Sequence, residues 1–450
     1  MKELVTYRLL DAYMEREKGA WRWESMQNNW VAVCAGCLGS MALYLLQDEP
    51  GKQGQIIDRV IDTLPDYLDG MCDNGTCPEG LGYYTYGMVY YAGFAEQLRS
   101  HTKGAVCLLE QEKVRRIARF QQICYLTGGI TVSFSDGSSR DRFRLGLTCR
   151  LAETVSGVEI PPLSAAMGFE DDHCYRFMGN YQDDCWVRQY LEKLEKLTTA
   201  DTSDTQRQQR TKWFTFLPHA QWAVWKNAGL DLAVKGGHNG EAHNHNDVGS
   251  LMFAANGEVF LSDLGCGEYT REYFAPETRY TLLCNRSMGH NVPVLNGQEQ
   301  KAGRKYGTTY FEGDDSGCVR LEYGGAYGSG KRLERILIFR EGAGDFRLED
   351  RAADMGQQDW LEENFVTQMK PVVTGDRICI PGEKGTLTLT AAGAKVIVIH
   401  REIFVDHRGK DRDVWLIRFR AEQQGTAAVC TVHGVYEAKC GSQAAENTGK

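Results

Sequence analysis

Histidine residues are concentrated in one part of the sequence. Of the ten histidines, His238, His243, His245 and His290 fall in one short window of the second half. Within it, EAHNHND places His243, His245 and Asp247 at alternate positions. Alternate side chains of an extended chain point to the same side, so an extended segment predicts three polar groups on one face. A solvent-facing strand edge also explains this pattern, and the spacing leaves both interpretations open.

Two later segments add further metal-ligand types. Asp263 ends the strand-like run SLMFAANGEVFLSD, and MGHN brings His290 in front of VPVL. Two imidazoles and one carboxylate from neighbouring strand ends are a usual set of zinc ligands. An acceptor such as Asp247 could fix the tautomer of one imidazole. The spacing therefore indicates a metal site.

The secondary structure expected around these residues changes from helices to strands near residue 205. Up to that point apolar residues recur at helical spacing, as in IIDRVIDTLPDYL and YGMVYYAGFAEQLRS, with polar turns such as QDEPGKQGQ and CDNGTCPEG between them. Beyond it, short runs such as RLERILIF, GTLTLTAAG and DVWLIRFRAE alternate with a period of two. Asn256-Gly257 is a hairpin signal. We expect a helical domain followed by antiparallel sheets, with a cleft between them.

Composition excludes several classes of protein. The 450 residues carry 51 basic and 60 acidic side chains, a net charge of −9, which argues against nucleic-acid binding. The N-terminus lacks the apolar core of a signal peptide, and no apolar run is long enough for a membrane span. The fifteen cysteines, including the pair Cys34 and Cys37, favour reduced core thiols over a disulfide framework. We therefore expect a cytoplasmic protein without a membrane or nucleic-acid partner, and its oligomeric state, homo-oligomers included, stays open.

The chain resembles the heparinase II/III-like family of polysaccharide lyases. In that family a block H-x-H-x-D-x-x-S leads to D-x-G and then to H-N. All three pieces occur here in order, in HNHNDVGSLMFAANGEVFLSDLGCGEY and MGHNVPVLNGQEQ. In the helical half, NNW (residues 28–30) and PEGLGYYTYG (residues 78–87) are similar to the family's asparagine-bearing and E-G-x-x-Y-x-x-Y-G segments.

The resemblance implies an incomplete (α/α) toroid over residues 1–205 and an antiparallel β-sandwich over residues 206–450. Because the helical half is shorter than a full toroid of this family, we expect an N-terminally shortened member. Secreted and periplasmic members are common in the family, and those locations would apply to this protein if its N-terminus is truncated.

The resemblance also implies residue roles. It implies that His245, Asp263 and His290 hold a structural zinc ion, that His243 faces the sugar, and that Tyr83 is the main proton-transfer residue. Asn29 would hydrogen-bond the substrate carboxylate.

The roles of Tyr83 and Asn29 have alternatives. Tyr84 or Tyr86 could replace Tyr83, or the three tyrosines could only cap a helix and line a hydrophobic wall. Asn29 could be only a helix cap. Tyr86, His238, Arg279 and Arg286 are further candidates for substrate binding. A turn also explains His238, and surface salt bridges also explain the two arginines.

The implied activity is cleavage of an acidic, uronate-containing poly- or oligosaccharide by β-elimination. Hydrogen-bond donors such as Asn29 and His243 would neutralise the uronate carboxylate, and Tyr83 or His243 would act as acid and base. A glycoside hydrolase is a second hypothesis, with Glu24, Asp73 and Glu79 as carboxylates but no compelling pair. A third is a non-catalytic carbohydrate-binding protein that kept the fold and the zinc site.

Overall fold

The computed structural model describes residues 2–168, 183, 185–189 and 212–439, without the side chain of Ile397. The chain divides into two compact units. The first comprises Met1–Trp222 and Gly240–Asn244, and the second comprises Ala223–Asn239 and His245–Lys450. The expected fold class, a helical region followed by antiparallel sheets, is confirmed. The predicted boundary near residue 205 lies outside the described residues.

The first unit is built from helices joined by turns. An N-terminal helical stretch covers residues 2–14. The helices that follow are α1 (Asn29–Leu45), α2 (Pro50–Asp69), α3 (Leu81–His101), α4 (Glu112–Ala118), α5 (Phe120–Cys124) and α6 (Leu145–Thr154). Helix α2 begins inside the predicted turn QDEPGKQGQ, because Pro50 stands at the first helical position, where its missing N–H costs no hydrogen bond.

Glycines bring α1 close to α3. A Cβ atom on Gly36 would lie 2.9 Å from the carbonyl oxygen of Tyr90, and one on Gly39 would overlap the ring of Phe94. Larger residues at these positions would push the two helices apart. This close packing fixes α3, whose first turn carries Tyr83.

Residues 125–144 do not follow the helical pattern expected for this half. They form turns, with an isolated antiparallel bridge between Tyr125 and Thr131 and a hydrogen bond from the Thr131 amide to the carbonyl of Ser139. Ser135 has a φ of 61°, a left-handed conformation that suits a tight turn. The segment carries Asp136 to a buried position.

The second half of the chain is dominated by strands. In chain order they are β1 (Phe214–Leu217), β2 (Trp222–Asn227), β3 (Leu230–Lys235), β4 (His238–Asn239), β5 (Leu251–Ala255), β6 (Glu258–Leu261), β7 (Val294–Leu295), β8 (Gly303–Gly307), β9 (Tyr310–Gly313), β10 (Cys318–Glu322), β11 (Arg332–Phe339), β12 (Asp345–Ala353), β13 (Leu361–Thr367), β14 (Val372–Thr374), β15 (Arg377–Pro381), β16 (Gly385–Ala392), β17 (Ala394–Val405), β18 (Asp411–Ala421), β19 (Gln423–Gln424) and β20 (Ala427–Ala438). Short helices α7 (Arg271–Phe274) and α8 (Pro276–Arg279) lie between β6 and β7.

Antiparallel pairing organises the second unit. The largest sheet has the strand order β14-β15-β16-β20-β12-β11-β10-β9, with β19 beside β20, and a smaller one has the order β17-β18-β13-β7. Strands β2, β3, β5 and β6 are successive neighbours in another sheet, and β4 pairs with β8. The predicted hairpin at Asn256-Gly257 is confirmed. Ala255 pairs with Glu258, and both turn residues have positive φ.

A buried arginine ties the core of this unit together. Arg335 on β11 is fully buried and donates two hydrogen bonds from its Nε to the carboxylate of Asp350, each 3.0 Å long. Its Nη1 donates to the carbonyl oxygens of Gly249 and Asn291, the latter over 2.8 Å. Because these two carbonyls belong to segments that carry His245 and His290, Arg335 connects the backbones of both histidine segments.

The cysteines of the described residues are free thiols. Cys34 and Cys37 lie half-buried on α1, and burial raises the pKa of both. In the described part of the chain, no helix combines the length and the apolar character needed to cross a membrane.

Candidate functional site

The first turn of α3 presents a carboxylic acid and a tyrosine. Gly80 has a φ of 100°, which few other residues adopt, and the helix begins at the next residue. Glu79 precedes this glycine and is 3% exposed. Tyr83 is the third residue of the helix and is half-buried. The Glu-Gly turn thus places both side chains at the N-terminal end of α3.

The turn at residues 133–137 is fastened to this helix start. The Ser135 hydroxyl donates to the carbonyl of Pro78 over 2.9 Å, and a Cβ atom on Gly80 would lie 3.0 Å from the carbonyl oxygen of Phe134. The two turns therefore pack backbone against backbone. As a result, Asp136 and Glu79 are held near each other in buried positions.

His243 lies in the first unit and joins these residues. Its Nδ1 is 2.8 Å from Asp136 Oδ2, and its Nε2 is 3.5 Å from Glu79 Oε2. The imidazole stacks on the Tyr83 ring, with ring centroids 4.0 Å apart and planes inclined by 26°. Tyr83, His243, Asp136 and Glu79 form what we call the imidazole cluster.

The expectation that His243, His245 and Asp247 share one face of an extended chain was wrong. The segment is a series of turns rather than a strand, and His243 has a φ of 56°, so the alternation of an extended backbone is lost. His243 belongs to the first unit, whereas the other two residues belong to the second. The left-handed backbone lies at His243, between segments of the chain that belong to different units. His243 and His245 therefore belong to different groups of residues, although they are close in sequence.

Burial controls the ionisation of Glu79. It raises the pKa of Glu79 to about 7, opposed by the imidazole of His243 and assisted by the carboxylate of Asp136. A carboxyl group with such a pKa exchanges protons near neutral pH, as acid–base groups of active sites do. The Cys77 thiol and the Tyr67 phenol, both buried, also interact with the charge of Glu79.

The neighbouring tyrosines lie in different surroundings. Tyr84 is fully buried, its hydroxyl donates to the carbonyl of Ala118 over 3.3 Å, and its ring packs edge-on against Phe120. Burial raises the pKa of Tyr84 far above its ordinary value. Tyr86 is half-buried and packs edge-on against Tyr90. Of the three tyrosines, Tyr83 has the ring contact to His243.

Asn29 is not the cap of α1. That role belongs to Asn28, whose side chain accepts a hydrogen bond from the amide of Trp30 over 3.0 Å. Asn29 is the first helical residue and is 4% exposed. Its Oδ1 has no hydrogen-bond partner among the described residues, and a buried polar atom in that state is costly.

The second unit brings His245, Asp263 and His290 together. One ligand atom from each lies within 4.8 Å of the others, and all three residues are buried. Nδ1 of His290 is 3.3 Å from Asp263 Oδ2. The Asp263 Oδ1 accepts a hydrogen bond from the Gly265 amide over 3.0 Å, which orients the carboxylate.

The surroundings of His290 fit a metal ligand. Its Nε2 lies 2.8 Å from the carbonyl oxygen of Cys284 and donates its hydrogen to that oxygen. Nδ1 therefore keeps its lone pair, with which it can coordinate a metal. Metal-binding histidines usually donate their second N–H in this way. Two imidazoles and a carboxylate are zinc ligands by chemistry, so the residues present fit this ion. Burial would raise the pKa of Asp263, but the neighbouring His290 holds that pKa below its ordinary value. Burial would lower the pKa of His290, but Asp263 outweighs this effect and the pKa of His290 is raised.

Asp247 does not orient an imidazole as expected. Its Oδ1 accepts a hydrogen bond from Lys235 Nζ over 2.8 Å, in an ion pair that is almost fully buried. The orienting acceptor for His290 is the backbone carbonyl of Cys284. Next to His245 lies the Tyr273 hydroxyl, 3.4 Å from Nε2.

His238 and Arg279, also predicted to bind substrate, belong to the second unit, whereas the residues of the imidazole cluster belong to the first. His238 is in β4, paired with Gly307 of β8, and burial lowers its pKa, as does the charge of Arg304. Arg279 ends α8, stacks over the Tyr273 ring at 4.5 Å and donates to the carbonyl of Tyr273. Arg286 forms a salt bridge with Glu299, which agrees with the interpretation of Arg286 as a salt-bridge residue.

Asp136 was not among the residues predicted from the sequence, and Glu79 was predicted only as a carboxylate of a hydrolase. The Ser-Asp-Gly run at residues 135–137 is turn-like in composition and could have indicated a loop in the helical half. No sequence signal, however, pairs that loop with the histidine block more than a hundred residues later.

Comparison with known proteins assigns the family. The sequence model described as heparinase II/III-like, C-terminal, matches residues 209–445, which is more than half of the chain. The chain belongs to the heparinase II/III-like family. A comparison with curated protein sequences found no match.

Solved structures resemble the fold of this family member at low identity. A heparinase III is 13% identical, with a TM-score of 0.65 over 92% of this chain and 59% of that protein. The heparan sulfate lyase HepC from Pedobacter heparinus is 14% identical, with a TM-score of 0.63 over 97% and 64%. A Paenibacillus xanthan lyase is 10% identical, with a TM-score of 0.50 over 93% and 44%. The chain thus spans less than two thirds of the length of each.

Proposed function

We propose that this family member is a lyase that cleaves uronate-containing poly- or oligosaccharides by β-elimination. Its family membership and the names of the structurally similar proteins, a heparan sulfate lyase and a xanthan lyase, support this reaction class. The observation that carries the proposal is the contact of Tyr83 with His243 at 4.0 Å between ring centroids. It joins a phenol and an imidazole, two groups able to exchange protons.

The proposed reaction needs three kinds of group. Donors must first neutralise the uronate carboxylate, because this makes the proton on C5 more acidic. A base then removes that proton, the C–H electrons form the C4–C5 double bond, the C4–oxygen bond breaks, and an acid protonates the leaving oxygen. Asn29 serves as a donor, as does His243 when both of its ring nitrogens carry hydrogen, and Tyr83 and His243 serve as the acid–base pair. Which of the two is the base depends on the stereochemistry of the uronate.

The carboxyl groups of the cluster favour this reaction over glycoside hydrolysis. Hydrolases place two carboxyl groups on either side of the scissile bond, roughly 5–9.5 Å apart, with substrate between them. Here the space between Glu79 and Asp136 holds the imidazole of His243, which contacts both. The pair therefore supports a role for the histidine rather than direct attack on a sugar.

We further propose that His245, Asp263 and His290 hold a structural zinc ion. Bound there, zinc would cross-link three segments of the second unit. Hydrogen bonds of the protein also connect these segments. The Ser287 hydroxyl donates to the Asn246 carbonyl over 2.6 Å, and the side-chain amide of Asn291 donates to the carbonyls of Leu251 and Ser262.

Incubation with a panel of uronate-containing poly- and oligosaccharides tests the function. We expect the ultraviolet absorbance of a conjugated, unsaturated product from at least one substrate. New reducing ends without that absorbance would replace elimination by hydrolysis. The absence of product from every substrate, combined with binding to one of them, would support a non-catalytic carbohydrate-binding protein.

A further inference from the structure

His243 has a carboxyl group at each of its two ring nitrogens. Asp136 Oδ2 lies 2.8 Å from Nδ1, and Glu79 Oε2 lies 3.5 Å from Nε2. Both carboxyl residues are more than nine-tenths buried. The contact to Asp136 has the length of a strong, charge-assisted hydrogen bond, whereas the contact to Glu79 exceeds normal hydrogen-bond length.

These distances determine which ring nitrogen is available. A carboxylate oxygen accepts hydrogen bonds, so Nδ1 carries the hydrogen that Asp136 receives. In the neutral ring, Nε2 then keeps its lone pair. The same logic holds in hydrolytic triads, where a buried aspartate fixes the tautomer of the histidine that transfers the proton.

The backbone prepares Asp136 for this contact. Its turn is anchored to the start of α3 by the hydrogen bond from Ser135 to Pro78 and by the close approach of Gly80 to Phe134. The position of the Asp136 carboxylate is therefore fixed relative to α3, the helix that also carries Tyr83. His243, on a turn with a left-handed backbone, is the partner that needs orienting.

We propose that Asp136 is a positioning residue for His243, fixing the imidazole flat against Tyr83 with Nε2 as the nitrogen that acts in the reaction. Glu79 borders Nε2 and limits rotation of the ring. This inference rests on the proposed lyase function for its kinetic consequence, but the tautomer of His243 is a property of the protein alone.

Nitrogen NMR of the full chain with selectively labelled histidines tests the tautomer directly. The His243 signal is assigned by its absence in His243→Gln, and the spectrum is recorded at about pH 9, above the ordinary histidine pKa of about 6.5. We expect the hydrogen on Nδ1 in the unmodified protein and a shift toward Nε2 in Asp136→Asn. A hydrogen on Nε2 in the unmodified protein overturns the proposal without any variant.

Kinetics of the same variant test the consequence. We expect Asp136→Asn to lower kcat by roughly 10²–10⁴-fold with little change in KM, since orientation rather than binding is lost. Asp141→Asn is the matched control, because Asp141 is a carboxyl of the same segment that bonds the Ser138 amide. Equal losses in both variants would assign the effect to the loop and overturn the proposal. If no substrate is cleaved at all, the proposed function fails, while the NMR result still decides the positioning role.

Discussion

The phenol ring of Tyr83 lies against the imidazole of His243, with centroids 4.0 Å apart. The tyrosine comes from the first turn of a helix, and the histidine from a turn that enters the helical unit from the second half of the sequence. Stacked rings of this kind contribute about 0.5–1.5 kcal/mol beyond their buried area. The contact joins the two residues to which we assign proton transfer.

Tyr83→Phe should slow elimination strongly while leaving the fold intact. The substitution keeps the ring that stacks on His243 and removes only the hydroxyl, so we expect kcat to fall by roughly 10²–10⁴-fold in a protein that still folds. The unsaturated product provides the measurement.

Tyr84→Phe is the matched control for this change. It removes a buried hydroxyl that bonds Ala118, so it should cost about 1 kcal/mol of stability and leave kcat within a few-fold. If Tyr84→Phe lowers kcat as much as Tyr83→Phe does, Tyr83 is not the proton-transfer residue.

Glu79 should make stability depend on pH. Burial raises the pKa of Glu79 from 4.5 to about 7. Below pH 4.5 the carboxyl is neutral in both states, but between there and pH 7 the unfolded chain releases the proton that the folded state keeps. Folding stability therefore falls as pH rises through this window, by about 3 kcal/mol in total.

Glu79→Gln should remove this loss. The difference in unfolding free energy between the variant and the unmodified protein should change by about 3 kcal/mol in favour of the variant between about pH 4 and pH 8. Glu110→Gln, at an exposed position, should keep a constant difference from the unmodified protein. A constant difference for Glu79→Gln as well would contradict the assigned pKa.

Metal analysis of the purified protein should find about one zinc ion per chain. His245→Ala should lose that zinc and lower the melting temperature, because a metal bound only to the folded state stabilises it. His238→Ala, a histidine outside the triad, should retain the zinc. A protein without zinc whose melting temperature is unaffected by His245→Ala would refute the metal site.

Arg335→Met should destabilise the second unit by about 3–5 kcal/mol, because it leaves the buried carboxylate of Asp350 without its cation. Arg332→Met on the same strand breaks an exposed salt bridge to Asp354 and should cost about 1 kcal/mol or less. Urea unfolding measures both. Similar losses in the two variants would mean that Arg335 contributes no more than a surface charge.

Much of the fold follows from local patterns that the sequence displays. Apolar residues at helical spacing predict α2 and α3, and the alternating runs predict β11, β16 and β18, because each element must bury one face. The grouping of His245, Asp263 and His290 was also predictable, since all three residues stand in the motifs that carry the family resemblance. Glycine and proline mark the turns.

The order of elements, the family resemblance and the residue types available for acid–base and metal chemistry could be predicted from the sequence. The contacts of Asp136 and Glu79 with the two ring nitrogens of His243 are seen only in the folded protein. Local spacing reports which face of an element is buried, but not which distant segment packs against it. The pairing of a turn at residue 136 with one at residue 243 depends on packing between segments far apart in the chain.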